Sequence, residues 1–165
     1  MTEEELSAAY EAYGPAVYRR CRKILGNDSE ALDTTQEVFL RALKHRRGLR
    51  AGRELLGWCY RVGTRLCLTR LQDRLRRGEA ALVDIAHQAA SPEERTQARE
   101  LAATILSGCD ARTREIAIYT LVDGMTQEEA SALAGITTRT VRNHLSRFSA
   151  HVRRQIAAWH SKEVT

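Results

Sequence analysis

MTQEEASALAGITTRTVRNHL, residues 125–145, has the pattern of two short helices joined by a tight turn. Thr126 stands where the first helix would begin, and Glu129, three residues on, can reach back to complete a capping box. Ser131 is small where two helices would cross closely, and Gly135, four residues later, can take the left-handed conformation of a tight turn. Ile136, Val141 and Leu145 then supply apolar contacts for a second helix. The spacing predicts helices over 126–134 and 138–159 arranged as a helix-turn-helix, the unit that lays its second helix in the major groove of DNA.

That second helix divides by face. Val141, Leu145, Phe148, Val152 and Ile156 recur at spacings of 4, 3, 4 and 4 and form a stripe expected to face the core. Arg139, Asn143, Ser146 and Arg147 are left on the opposite side, flanked by Thr138, Thr140 and Arg142. Arg can pair bidentately with guanine and Asn with adenine, while Thr and further Arg side chains hold phosphates. A merely solvated helix face would not require that residues 138–162 lack any acidic group, as they do. These seven residues are therefore the candidate DNA-reading set.

Outward from this motif the chain keeps a helical period, over 3–25, 28–46, 53–77, 92–107 and 111–122, and no β-branched alternating run of strand length occurs. The fold class is all-α. A break or bend is expected near Gly14-Pro15, where proline cannot donate its backbone hydrogen bond. Gly26-Asn27-Asp28-Ser29 is a stop and restart. The period is lost over 78–91, and Ser91-Pro92-Glu93-Glu94 restarts a helix with an N-cap and a first-turn proline. The expected organisation is two small helical domains, 5–77 and 95–160, joined by a linker over 78–94, the second carrying the helix-turn-helix. Cores this small give modest stability.

Composition narrows the function. With 43% hydrophobic and 28% charged residues and 2 prolines in 165, the chain is too apolar for disorder and too polar for a membrane protein. MTEEEL lacks the basic-then-apolar order of a signal peptide, and no apolar run nears the roughly 20 residues of a membrane span, so a cytoplasmic protein without membrane insertion is expected. Cys21, Cys59, Cys67 and Cys109 form no C-x-x-C pair and have no His at ligand spacing; they read as core residues in a reducing compartment, and neither metal nor cofactor is expected. Without a Ser, His and acid cluster, a Gly-rich phosphate loop or an H-E-x-x-H pair, enzyme chemistry has no support. The net charge of +5 is uneven: −4 over 1–40, +10 over 41–77, −6 over 78–136 and +5 over 137–165. Two basic blocks, each beside an acidic one, point to two polyanion-binding surfaces.

The basic block of the first half has an acidic neighbour in the helix over 28–46. Ala31, Thr35, Val38 and Ala42 are spaced to be buried there, broadened by Phe39 and Leu43. Asp33, Gln36, Glu37, Leu40 and Arg41 line another face, whose mixture of acids, amide and leucine suits a protein partner, or equally a solvated helix. KHRRGLRAGR over 44–53 is a basic loop. The helix after it is expected to bury Leu55, Cys59, Val62 and Leu66, with Trp58, Arg61, Arg65, Leu68 and Gln72 along a different side. An aromatic among arginines can stack on an unpaired base, although a lone Trp is more often core.

The order of YGPAVYRRCRKILGNDSEALDTTQEVFLRAL at 13–43, LLGWCYRVGTRLCLTRL at 55–71, SPEERTQAREL at 91–101 and the helix-turn-helix resembles the extracytoplasmic-function group of the sigma-70 family over nearly the whole chain. D-x-x-Q-E-V-F at 33–39 is its most specific part. The resemblance implies core-polymerase contacts at Asp33, Gln36, Glu37, Leu40 and Arg41, against the clamp helices of the largest polymerase subunit. It implies contacts to the −10 promoter element at Arg47, Arg50, Arg53, Trp58, Arg61, Arg65 and Arg70. It places the C-terminal helix in the major groove of the −35 element and its domain on the flap of the second-largest subunit, and implies an anti-sigma partner. The chain departs from the family pattern at Arg65 and Thr69, at Cys109-Asp110 where Leu-Pro is usual, and at Asn143-His144 where Ser-Arg is frequent, so a promoter of its own is expected. The residues alone also fit two other functions: a dimeric regulator binding a palindromic operator, or an adaptor that binds polymerase without reading DNA.

Overall fold

In a computed structural model, residues 2–50, 52–77, 91, 101 and 104–163 are described. Helix α1 (Glu3–Leu25) opens on Thr2, whose hydroxyl accepts from the Glu5 N–H at 3.1 Å while the Glu5 carboxylate accepts from the Thr2 N–H at 2.7 Å. It ends at Gly26, where φ is 67°. The expected break at Gly14-Pro15 is absent: α1 runs unbroken through Pro15. Proline there forfeits one intrahelical bond, and burial of Leu6, Ala9, Val17, Cys21, Ile24 and Leu25 on both sides of it holds the helix together.

Asn27 restarts the chain, its side chain accepting from the Glu30 N–H at 2.9 Å at the head of α2 (Asp28–His45). Tyr10 against Phe39 at a ring separation of 4.9 Å, Arg46 on Glu3 at 2.8 Å and Tyr18 on Asp28 at 2.7 Å fix α2 antiparallel to α1. A 3-10 turn (Arg46–Gly48) leads towards α3 (Arg53–Arg76). α3 approaches both helices at Gly63, where a Cβ would lie 3.5 Å from Val38 and 3.6 Å from Cys21. Buried Arg20 donates to the Thr64 hydroxyl at 2.9 Å and sits 4.5 Å over the Tyr60 ring. Leu68 is buried rather than outward, and Val62 only half-buried. Over 24 residues the buried stripe drifts around α3, from Leu55 and Cys59 to Thr64, Cys67, Leu68 and Leu71. Cys21, Cys59 and Cys67 are buried free thiols and Cys109 is half-buried; burial pushes Cys59 up to about 12.

The chain divides into two compact units, Met1–Arg70 and Leu71–Thr165. The expected linker over 78–94 lies outside the described residues apart from Ser91, as does most of the expected helix over 92–107, of which Leu101 and 104–107 are helical. In the second unit Asp110 caps α4 (Ala111–Ala117), accepting from the Thr113 N–H at 2.8 Å. The helix expected to 122 widens its register into a π-helical turn over Ile118–Val122, where the Asp123 N–H donates to the Ile118 carbonyl at 3.0 Å. α5 (Gln127–Ala134) and α6 (Thr138–Glu163) follow. Ile116, Tyr119, Ala130, Ala134 and Val141 form the core, with Met125, Leu133, Ile136 and Leu145 packed against it.

The apolar stripe of α6 is buried only in part: Ile156 is 37% exposed. It lies roughly 22 Å along the axis beyond Val141, past the reach of the α4–α5 core. His151 is buried instead, its Nε2 3.0 Å from the Ile105 carbonyl. A Cβ at Gly108 would fall on that imidazole, 2.6 Å from Nε2. Gly108→Ala is therefore expected to cost about 1–3 kcal/mol, lowering the melting temperature of the second unit by roughly 10 °C; a thermal melt within 2 °C of the parent, by circular dichroism, would show that His151 moves aside freely.

Candidate protein and nucleic-acid interfaces

Helix periodicity sorts α2 into a buried side and an open side. Asp33, Gln36, Leu40 and Arg41 lie on the open side, with Leu40 58% exposed. Glu37 sits at its edge and bridges two helices, taking Arg41 at 2.6 Å and Arg70 of α3 at 3.4 Å. Arg70 also reaches the Glu30 carbonyl at 3.4 Å. The five residues expected to meet polymerase thus share a surface, with Glu37 additionally clasping α2 to α3. Beside Leu40 an open depression of about 550 Å³ is walled by Leu6, Tyr10, Phe39 and Leu43. Leu6 and Tyr10 belong to α1, and only the folded pairing of α1 with α2 brings them to this face.

The basic loop closes a second concavity of about 550 Å³, lined by Lys44, His45, Arg47, Gly48, Leu49, Glu54, Trp58 and Arg61. Leu49 is buried and pins the loop. The His45 and Trp58 rings stand 6.2 Å apart at a 54° tilt. Trp58 and Arg61 are half-buried, and Arg47, Arg50, Arg53 and Arg65 are exposed. Trp58, Arg61 and Arg65 are spaced at 3 and 4 residues and share one face of α3. Arg70 stands apart, roughly 120° around the helix from Trp58, and is engaged with α2. Faces of two rings beside several cations and a single carboxylate, Glu54, suit an unpaired base and its phosphates. Lys44 and His45 join this site unannounced by any spacing; only the composition of 44–53 hinted at them.

The helix-turn-helix forms as its capping pattern requires. Thr126 and Glu129 exchange hydrogen bonds of 3.1 and 2.8 Å, and Gly135 takes φ 67°. Arg112 pairs with Glu115 at 2.7 Å and donates to the Ala134 carbonyl, capping the end of α5. Glu115 is buried and accepts from the Tyr119 hydroxyl at 2.6 Å. Removing its carboxylate strands the Tyr119 hydroxyl and loosens Arg112, so Glu115→Ala should destabilise the second unit by about 3 kcal/mol; a urea midpoint unchanged from the parent would contradict this. Thr137 caps α6 through the Thr140 N–H at 3.2 Å, and the two hydroxyls lie 2.8 Å apart. Arg139, Arg142, Asn143, Ser146 and Arg147 are exposed, and Thr138 and Thr140 half-buried. All seven candidates fall on the first three turns of α6, clear of the Val141 core contact. His144, set among them, escaped selection because its partner is on α4.

The charged face of α6 and the basic, aromatic concavity of the first unit fit the comparisons with known proteins. Residues 9–77 match sigma-70 region 2. The ECF RNA polymerase sigma factor SigE of Mycolicibacterium smegmatis is 29% identical over 154 residues, 89% of this chain and 59% of that protein. SigW of Bacillus subtilis, of the same description, is 24% identical over 88% of this chain and 86% of its own length. The chain therefore spans 59% of the first of these relatives and most of the second. A solved structure of CnrH in complex with the cytosolic domain of CnrY shares the fold, with a TM-score of 0.56 and 20% identity over 95% of this chain and 90% of that one. Residues 9–77 thus carry the sigma-70 region 2 match, and over most of its length the chain is similar to ECF RNA polymerase sigma factors.

Proposed function

We propose that this protein is an alternative sigma factor that binds core RNA polymerase and directs initiation at its own class of promoters. The observation that carries this reading is the pairing, in one chain, of an exposed leucine-and-acid face with two separate basic surfaces, one built for unpaired and one for duplex DNA. The region over 5–77 would hold the polymerase through Asp33, Gln36, Leu40 and Arg41, with Glu37 shaping the same face. Arg47, Arg50, Arg53, Trp58, Arg61 and Arg65 would meet the −10 element. The region over 95–160 would read the −35 element through Thr138, Arg139, Thr140, Arg142, Asn143, Ser146 and Arg147, and rest on the second-largest subunit. Residues 78–94 would link the two. Arg70, which also pairs with Glu37 and reaches the Glu30 carbonyl, would join the same −10 contact set from its own side of α3.

The chain performs no catalysis: polymerase makes the phosphodiester bonds, and the sigma factor supplies promoter affinity by phosphate neutralisation and specificity by base contacts. No helix among the described residues is long and apolar enough to cross a membrane, and none of their His, Cys, Asp and Glu side chains group as a metal site. An anti-sigma partner, bound as the cytosolic domain of CnrY is bound to CnrH, would act by covering these faces. A gel-shift titration tests the reading. Protein alone should bind duplex promoter weakly, and protein with core polymerase tightly; tight binding to a palindromic site without polymerase would identify an operator-binding regulator instead. Trp58→Ala should lower initiation on duplex promoter by about tenfold, as loss of one stacked base implies. Initiation on a template already opened at −10 should recover to within about twofold of the parent; an equal defect on both templates would assign Trp58 to folding.

A further inference from the structure

Asp110, Thr113 and His144 form a chain of hydrogen bonds that joins the N-terminus of α4 to the middle of the DNA-facing run of α6. Asp110 accepts twice from Thr113, from its N–H at 2.8 Å and its hydroxyl at 2.7 Å. The same hydroxyl lies 2.8 Å from His144 Nδ1. These bonds to Thr113 hold the Asp110 carboxyl below its usual range, with help from the adjacent imidazole. An ionised carboxylate can only accept, and a hydroxyl has one hydrogen. Thr113 therefore donates to Asp110 and must receive from Nδ1–H of His144. The direction of the relay is settled, and with it the protonated nitrogen facing α4.

We propose that His144 is a positioning residue for −35 reading: the relay sets the rotation of α6 so that Asn143 and Arg147, its neighbours along the helix, present their side chains at the right depth and angle to base edges. This rests on the reading of α6 as the promoter-recognition helix. The physical need is clear from the packing. Around the DNA-facing run, Val141 and Leu145 seat α6 through apolar contacts, which are less directional than a hydrogen bond, and a second polar tie of α6, His151 on the Ile105 carbonyl, lies seven residues beyond His144. A rotation of 20° about a helix whose side-chain envelope has a radius of roughly 5–6 Å moves a tip by about 2 Å, more than a bidentate base contact can absorb. The hydrogen bond from Nδ1 is directional, and Thr113, 2% exposed, has no room to follow a turning helix. Asp110 in turn is fixed by its capping role, so the chain ends on backbone.

The test uses the full-length protein reconstituted with core polymerase, and promoters carrying either the preferred −35 element or a base-substituted one. Thr113→Val removes the hydroxyl with little change of shape and leaves the Asp110 bond to the residue 113 N–H in place. It should cut the preference for the intact −35 element by about tenfold, the value of one well-made bidentate contact, while the thermal melt shifts little. His144→Leu should do the same. Thr113→Ser, and His144→Asn, whose amide N–H can stand in for Nδ1–H, should restore the preference to within about threefold of the parent, a rescue that bulk packing would not produce. If Thr113→Val and His144→Leu keep the full preference, or lose activity equally on both promoters, the relay does not position the helix and the proposal fails. A parent protein with no −35 preference at all would instead overturn the reading of α6 on which the proposal rests.

Discussion

Replacing Arg139 and Asn143 together by alanine is expected to erase discrimination at the −35 element while leaving the complex with core polymerase intact. Both side chains are exposed, four residues apart on one face of α6, and neither packs on the Ile116–Val141 core. Each well-formed bidentate contact is worth about 1–3 kcal/mol, so losing two costs about 2–6 kcal/mol, at least thirtyfold in promoter preference. Folding should be unaffected, because both truncations are on the surface. Transcription from matched promoters with intact and substituted −35 elements reads the preference, and native electrophoresis reads the polymerase complex. Loss of that complex in the double variant would contradict the division of labour between the two regions.

The second large effect belongs to the other interface. Leu40→Asp is expected to weaken association with core polymerase by thirtyfold or more, the scale of a central apolar anchor lost from an interface. Leu40 is 58% exposed at the lip of a depression walled by Leu6, Tyr10, Phe39 and Leu43, so a partner side chain could seat there and a carboxylate would repel it. The free protein gives up no core contact at this position. Glu37 is a poorer probe despite belonging to the same face. A lysine at 37 would stand between Arg41 and Arg70 and pry α2 from α3, mixing a stability defect with a binding one. Titration of fluorescently labelled protein with core polymerase measures the effect; an affinity for Leu40→Asp within threefold of the parent would remove α2 from the polymerase interface.

What could be read from the sequence followed the range of the forces involved. Capping at Thr126 and Glu129, the turn at Gly135 and the restart at Asn27 depend on residues three or four apart, and each formed as its spacing required. The open face of α2 and the exposed run of α6 were equally legible, since helical periodicity assigns faces without knowledge of partners. What escaped depends on residues far away in sequence. Arg70 looked like one more cation of the promoter-facing helix, yet its acid lies 33 residues upstream on α2. His144 was only a departure from a family pattern until Thr113, 31 residues earlier, supplied its partner. Leu68 and Ile156 exchanged their expected environments for a reason no heptad states: a long helix keeps its stripe covered only where another element runs beside it. Pro15 shows the reverse case, a local penalty overruled by tertiary burial.

The central claim is most directly tested by transcription on a fragmented genomic template with bacterial core polymerase, with and without this protein, and mapping of transcript 5′ ends. New starts that need the protein and share elements at −35 and −10 spacing are the predicted result. The contradicting result is the absence of any new start from core polymerase that a control sigma factor activates on the same template.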